Sequence, residues 1–341
     1  MEPVPSKASS ADPRFAALQR GLPLCPKPFA ELARDCGTCE SDLVDFAAQC
    51  RAAGFVRRFG AVFDARRLGY SSALCCASAP LADVDSAAAK VTPLSCVTHC
   101  YLREPDEAAG QNGEFPLLWF TLSCPADVFS AMQDEVAARL SPFQVRFLPA
   151  VRRYKIDVVF GASTREREES VSDDSAPVTA QDRRIIAALQ GDTEVRADYF
   201  TALAEKLGIK EWDLLARLEM WRRNGRLRRI ALLPRHREAG WTHNGMCCWR
   251  VDGDTSAAGR ALASSPEVTH CYERPSAPEF PFNLFAMVHS RSREETLRKF
   301  AELSASIGGE YASALLVSTK EYKKTSMAFY AAGATLANSA R

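Results

Sequence analysis

A five-residue sequence centred on a histidine, Val-Thr-His-Cys-Tyr, occurs at residues 97–101 and again, unchanged, at 268–272. A repeat of this kind, at matching places in the two halves of a 341-residue chain, indicates an internal duplication. Each half must therefore adopt the same fold, with His99 and His270 in equivalent positions. Two of the five histidines in the chain are used in this way.

The similarity between the halves extends well beyond the pentapeptide. A Phe-Pro pair followed by an apolar run occurs at 115–116 and again at 280–281. The repeats span about residues 13–160 and 179–330. The segment between them, 161–178, is charged and almost free of large apolar residues, so we interpret it as a linker that cannot bury a core.

Composition sets broad limits on function. The chain is 47% hydrophobic and 25% charged with a net charge of +1, so overall charge gives no reason to expect nucleic acid binding. No run approaches the ~20 apolar residues of a membrane helix, and the N-terminus lacks an apolar signal core. We therefore expect a cytoplasmic protein. Its cysteines should be reduced thiols, and no metal site is expected at Cys36 and Cys39, which lack a second ligand pair.

Each half begins with three short stretches of helical periodicity. In the second half a basic segment, residues 225–233, follows them and is predicted to be a β-hairpin. Three helices and a hairpin are typical of a winged helix-turn-helix. We place these domains at residues 13–70 and 179–238.

The remainder of each half alternates in the order β-α-β-β-α-β. This order is typical of a ferredoxin-like domain, an antiparallel sheet with both helices on one face. We place these domains at 71–160 and 239–330, which makes the chain an α+β tandem duplication. The helix-free face of each sheet needs a cover, and the sheet of the other half is the natural one, giving an internal pseudo-dimer. Further homo-oligomerisation stays open.

A winged helix-turn-helix followed by a ferredoxin-like domain resembles the layout of Lrp/AsnC regulators. The string Val-Thr-His-Cys-Tyr-Leu-Arg-Glu at 97–104 and the tail at 320–327 are similar, more narrowly, to siroheme decarboxylases. So are the strings at 66–70, 235–241 and 289–291. The resemblance covers nearly the whole chain, in the fused form of a two-subunit enzyme. The longer loop at 105–114 departs from its counterpart at 275–279.

That resemblance implies removal of the two acetate carboxylates on rings C and D of siroheme. The product, 12,18-didecarboxysiroheme, feeds d1-type heme synthesis or an alternative route to heme. Binding a macrocycle rimmed with carboxylates requires arginine or lysine side chains and apolar surface. Decarboxylation requires a proton donor near neutral pH, which suits histidine. No cofactor is expected, because the iron enters with the substrate.

We predict that His99 and His270 are the catalytic residues. A single mid-strand histidine is more often structural. Its duplication, with Tyr101 and Tyr272 two residues later on the same strand face, favours function instead. Each histidine could donate a proton, position a carboxylate or ligate the substrate iron, and the sequence does not choose among these roles.

Substrate carboxylates need cations near these histidines. Candidates lie four residues after each histidine, after the last strand of each half and before the first strand, although charged runs are usually solvated. The predicted substrate-binding residues are Tyr101, Arg103, Tyr272, Arg274, Arg66, Arg67, Arg153, Lys155, Arg235, His236, Lys320 and Lys323.

Two other functions are compatible with this architecture: an Lrp/AsnC-type transcription regulator and a non-catalytic tetrapyrrole sensor. A DNA-recognition helix should be basic. The first candidate helix, 40–52, has three acidic residues and only one arginine, and the second, 211–223, has three acidic residues with its basic pair at the far end. No DNA partner is therefore expected.

Overall fold

The computed structural model describes residues 12–109, 115–156, 177–235, 241–277, 280–309 and 311–330. These residues separate into two compact units, and each unit contains segments of both halves. The helix-turn-helix unit includes the described residues up to Gly69, those from 177 to 235, and Ala328 to Tyr330. The sheet unit runs from Tyr70 to 156 and from 241 to Met327. The predicted linker, 161–178, falls almost wholly outside the described residues.

The described residues form ten α-helices and eleven β-strands. The helices are α1 Pro13–Arg20, α2 Pro28–Asp35, α3 Glu40–Ala52, α4 Val84–Val91, α5 Phe129–Leu140, α6 Ala180–Gln190, α7 Tyr199–Leu207, α8 Glu211–Arg223, α9 Ser256–Ser264 and α10 Arg293–Ser306. The strands are β1 Val56–Phe63, β2 Tyr70–Ala77, β3 Val97–Pro105, β4 Leu118–Pro125, β5 Val145–Pro149, β6 Arg152–Ile156, β7 Leu227–Pro234, β8 His243–Trp249, β9 Val268–Glu273, β10 Leu284–Ser290 and β11 Ser313–Lys324. None of the helices in this part of the chain is long and apolar enough to cross a bilayer.

Local sequence explains where several helices begin and end. The carboxylate of Asp12 accepts a hydrogen bond from the backbone N–H of Arg14 and so caps α1. Thr179 and Asp182 form a reciprocal capping box at the start of α6. Helix α7 ends at Gly208, whose φ of 68° is readily accessible only to glycine. Three helices thus open each half, α1–α3 in the first and α6–α8 in the second.

The strand that follows the third helix differs from the sequence prediction. Residues 225–233 do not fold back as a hairpin, because a single strand, β7, occupies them. Strand β7 pairs antiparallel with its counterpart β1 from the other half. An ion pair of 2.8 Å between Arg228 and the buried Asp64 joins the same two segments. The backbone groups of each strand are therefore satisfied by the other repeat rather than by a local turn.

The sheet unit contains one nine-stranded antiparallel sheet. Its first four strands follow the order β5-β2-β4-β3 and the next four the order β11-β8-β10-β9, which is the same ferredoxin-like order twice. The observed fold is thus α+β, with the helix-turn-helix and ferredoxin-like patterns each present in both halves.

In each half, the strand that carries the histidine pairs with a strand from the other half. The C-terminal part of β11 continues past its ferredoxin-like partner β8 and pairs with β3. In the same way β6 pairs with β9. The sequence predicts charged runs after the last strand of each half at these two places. In the structure both runs are sheet strands that border His99 and His270.

Apolar side chains of the two halves meet on the helix-free faces of the sheet. One core lies under α4 and α5, and a second lies under α9 and α10. A third core combines residues from both halves, among them Trp119, Leu148, Met246 and Phe285. The histidines lie on strands that contribute to this shared face, so the core fixes their surroundings from both repeats.

Candidate functional site

Each histidine begins a row of three side chains on the shared face, since alternate residues of a strand point to the same side. The first histidine row is His99, Tyr101 and Arg103, and the second is His270, Tyr272 and Arg274. The imidazole and phenol rings stack in both, with centroids 6.3 Å apart in the first row and 6.2 Å in the second. The guanidinium carbon lies 5.3 Å from the tyrosine ring centroid in the first row and 4.6 Å in the second. The structure thus brings together six predicted site residues in two equivalent rows.

A threonine anchors each imidazole by the same ring nitrogen. The Nδ1 atom of His99 lies 2.9 Å from the Thr98 hydroxyl, and that of His270 lies 3.1 Å from the Thr269 hydroxyl. A hydroxyl can accept the Nδ1 proton in both the neutral and the charged imidazole. With Nδ1 held in this way, Nε2 is the ring nitrogen at which a proton would be exchanged.

The arginine at the end of each row reaches into the opposite half. Arg103 donates to the side-chain oxygen of Asn244 at 3.4 Å, and Arg274 donates to the backbone oxygen of Leu148. Burial lowers the pKa of Arg103 to about 10, so the guanidinium stays charged at neutral pH. Burial also lowers the pKa of Arg274. The two rows are therefore tied to each other's sheets.

The rows differ in exposure. Tyr101 and Arg103 are buried, with 8% and 5% of their surface exposed. Tyr272 and Arg274 are only half-buried. The second row consequently offers more of its aromatic and cationic surface to a ligand.

The rows also differ in the charge of the neighbouring strand. Arg153 on β6 lies opposite Tyr272, whereas Glu321 on β11 lies opposite Tyr101. These are equivalent positions of the duplication with opposite charges. At this position a carboxylate would meet attraction beside Tyr272 and repulsion beside Tyr101, whereas beside the histidines the charge lies in the first row, where Lys324 is opposite His99.

Three predicted substrate-binding lysines are not brought together with the histidines. Lys155 donates to the backbone oxygen of Ser265 at 2.7 Å, and Lys323 donates to those of Thr92 and Leu94. Lys320 pairs with Asp85 at 2.8 Å. Strand register explains this placement. Lys155 and Lys323 lie opposite Cys271 and Cys100, whose side chains belong to the cores on the helix side of the sheet.

The predicted cations that precede the first strand of each half belong to the helix-turn-helix unit. Arg67 packs its side chain against Gly225, and its backbone oxygen accepts from Arg226. The backbone N–H of Arg66 donates to Asp64, and that of Arg235 donates to the carbonyl of Phe55. His236 lies outside the described residues.

Sequence reasoning missed the polar side chains beside the second row. His289 lies on the same face, with Nε2 3.5 Å from the amide nitrogen of Asn244 and Nδ1 3.4 Å from the Thr269 hydroxyl. Desolvation, followed by the charges of His270 and other cations, lowers its pKa to about 3. In the sequence, His289 is included only in the family-like string at 289–291. Counting in steps of two from Phe285 would have placed it on the site face.

The arrangement can hold a flat anionic ligand beside a proton donor. Tyrosine rings supply an apolar face, arginines supply charge-assisted hydrogen bonds, and an imidazole can exchange a proton near neutral pH. Within the described ranges, no group of three or more His, Cys, Asp or Glu side chains is placed to hold a metal ion.

Two family models match this chain, one over the ferredoxin-like segments and one over the first helix-turn-helix. A model described as the AsnC-like ligand binding domain matches residues 67–155 and 238–323. A second model, the siroheme decarboxylase NirDL-like HTH domain, matches residues 16–57.

Full-length relatives and solved structures give the same result. The chain is 32% identical over 320 residues to a siroheme decarboxylase of Hydrogenobacter thermophilus, which covers 92% of each chain. It is 33% identical over 294 residues to the siroheme decarboxylase NirDL subunit of Paracoccus denitrificans, covering 84% of this chain and 86% of that one. It is similar to the crystal structure of the siroheme decarboxylase NirDL, with a TM-score of 0.70, 27% identity, and 96% and 95% coverage. The NirDL co-complex with an iron-uroporphyrin III analogue matches with a TM-score of 0.68 and 27% identity, covering 94% of each chain.

Proposed function

Because the chain belongs to the siroheme decarboxylase family, we propose that it removes the two acetate carboxylates on rings C and D of siroheme. The product is 12,18-didecarboxysiroheme, for d1-type heme synthesis or an alternative heme route. The observation that supports this proposal is the second histidine row, in which His270 stacks on Tyr272 beside Arg274, with Arg153 opposite the tyrosine. The two repeats act as an internal pseudo-dimer in the cytoplasm.

The chemistry requires an electron sink and one proton for each carboxylate. Protonation of the pyrrole ring allows the bond between the methylene carbon and the carboxylate to break, and its electron pair enters the ring. Carbon dioxide leaves, a proton delivered to the methylene carbon gives a methyl group, and the ring releases the proton that it had accepted. The step consumes one proton and no electrons, so a histidine that is recharged from solvent is sufficient.

We assign proton delivery to His270 rather than to His99. Arg153 and Arg274 provide two cations beside His270, and Tyr272 is partly accessible. Around His99 the tyrosine is buried, and the neighbouring strand carries Glu321 opposite that tyrosine as well as Lys324 opposite the histidine, so its charges offset each other. Electrostatic attraction of carboxylates therefore favours the second row, while His99 supports the sheet and the far rim of the ligand.

We further propose that the helix-turn-helix unit has no role in DNA binding. The cations of α8 are already paired: Arg217 with Asp182 at 3.1 Å, and Arg222 and Arg223 with Glu219. Neutralised arginines contribute little to phosphate binding. A gel-shift titration should show no tight, salt-sensitive, sequence-dependent binding, and finding it would favour a regulator instead.

Anaerobic incubation of the purified chain with siroheme tests the enzymatic proposal. We expect mass spectrometry to show two successive losses of carbon dioxide. His270→Ala should abolish turnover while tetrapyrrole absorbance still reports binding, and His99→Ala should retain part of it. Siroheme that binds but keeps its mass would point to a non-catalytic sensor.

A further inference from the structure

A chain of polar side chains connects the two histidine rows. Arg103 lies 3.4 Å from the Asn244 oxygen, and the Asn244 nitrogen lies 3.5 Å from Nε2 of His289. Nδ1 of His289 lies 3.4 Å from the Thr269 hydroxyl, which lies 3.1 Å from Nδ1 of His270. The first three of these distances are long for hydrogen bonds, so each contact adds little to stability. What the contacts fix is which group donates and which accepts.

The chemistry of its first member gives this chain a single direction. A guanidinium can only donate, so Asn244 must accept from Arg103 through its oxygen. The amide nitrogen of Asn244 then faces His289, whose Nε2 must carry a lone pair. The proton of His289 consequently resides on Nδ1 and points to Thr269. The Thr269 hydroxyl donates its own proton to the backbone oxygen of Met287 at 3.2 Å, so it is left to accept from both imidazoles.

The surroundings of His289 favour the neutral ring that this direction requires. The groups that face it include His270 on β9, Arg103 on β3 and Lys299 on α10, all of which oppose a positive charge. Glu267 and Glu295 are paired with Lys299, and neither contributes to the pKa shift of His289. Desolvation acts in the same sense and lowers the pKa of His289 to about 3.

The backbone beneath His289 is held in place from the helix side. Lys299 is buried, with 5% of its surface exposed, and donates to the backbone oxygen of His289 at 2.9 Å. Its ammonium is paired with Glu295 at 2.9 Å and with Glu267. This anchoring fixes where the strand presents its imidazole.

The first half has a different pair at the same places. Ser72 and Ser123 occupy the positions of Asn244 and His289 when the strands are aligned through Cys75 and Cys247, and their hydroxyls lie 2.6 Å apart. Two short hydroxyls cannot span the distance that an amide and an imidazole cover. A chain of this type is therefore described for the second row and not for the first.

We propose that Asn244, His289 and Thr269 form a one-way hydrogen-bond chain, set by Arg103, in which donation from His289 leaves the Thr269 hydroxyl proton to Met287 and so holds His270 with its Nδ1 proton on Thr269 and its Nε2 facing the substrate. His289 is in this view a positioning residue that acts through Thr269. The proposal rests on the proposed decarboxylation for its kinetic consequence, but the tautomer of His270 can be measured without any turnover.

His289→Ser introduces the residue that the first half uses at this place. We expect kcat to fall about tenfold, a part of the ~10²–10⁴-fold that a positioned general acid contributes, with little change in KM. The pH profile of kcat should also shift, because His270 loses its fixed tautomer. His289→Asn can still accept from Asn244 and donate to Thr269, so it should recover most of the activity. Ser123→Ala, in the first half, is the matched control and should leave kcat unchanged.

Nitrogen-15 NMR of the histidine side chains provides the second readout, and with five histidines the spectrum can be assigned by substitution. In the wild-type chain, neutral His270 should be protonated on Nδ1 alone, whereas in His289→Ser it should populate both tautomers. An unchanged tautomer in His289→Ser, or kcat within twofold of wild type in a folded variant, would overturn the inference. If wild type fails to decarboxylate siroheme, the proposed function fails and the NMR result alone decides this inference.

Discussion

At the scale of single residues, the duplication makes the two sites comparable position by position. Arg153 and Glu321 occupy equivalent places beside the two tyrosines, and only one of them attracts a carboxylate. Asn244 and His289 likewise replace a pair of serines. We propose that differences of this kind, rather than the shared histidines, decide which row binds an anionic substrate.

Reversing the charge of Arg153 tests whether this side chain attracts a substrate carboxylate. Arg153→Glu should raise KM for siroheme about tenfold, because a hydrogen bond to a charged group is worth about 1.5–3 kcal/mol. Steady-state kinetics of the purified variant provides the measurement. The converse change, Glu321→Arg, should leave KM unchanged or lower it, and equal KM values for wild type and Arg153→Glu would contradict the assignment to the second row.

His289 should also make folding stability depend on pH. Its pKa is about 3 in the folded chain and near 6.5 when unfolded, so below pH 6.5 the unfolded state binds more protons. Stability from this group is present above pH 6.5 and is lost as pH falls towards 3. Because the ring keeps some solvent contact, we expect the loss to be about 1–2 kcal/mol. Denaturant titrations at pH 7 and pH 4.5 should show a smaller loss in His289→Asn, and an equal loss in both chains would refute this.

At the scale of secondary-structure elements, the local sequence pattern predicted the helices and the order of the strands. It did not predict how strands of different halves pair. Helical periodicity and capping residues located the helices, and the ferredoxin-like strand order followed from alternation. The pairing of β6 with β9 and of β11 with β3 could not be predicted, since it joins residues far apart in sequence. Bulges in these pairings also turn Lys155 and Lys323 to the helix side of the sheet.

These two lysines should therefore matter for stability rather than for substrate binding. Lys155→Met or Lys323→Met removes a charged donor from part-buried backbone oxygens, which costs about 1–3 kcal/mol. We expect Tm to fall by several degrees while KM for siroheme stays within twofold. Lys206→Met, at an exposed position on α7, should leave both unchanged. A selective rise in KM for either variant would return these lysines to the binding site.

At the scale of the whole molecule, the twin pentapeptides predicted the duplication and the β-α-β-β-α-β order predicted the α+β class, and both are confirmed by the fold and by the family matches. The sequence could not reveal that the repeats exchange strands in both the helix-turn-helix and the sheet units.

Anaerobic turnover of siroheme in deuterated water tests the proposed decarboxylation. Delivery of a solvent-derived proton to each methylene carbon predicts a product that has lost two carbon dioxide molecules and carries one deuterium in each new methyl group. His270→Ala should yield neither change. Siroheme recovered with its original mass from the wild-type chain, despite spectroscopic evidence of binding, would contradict the account.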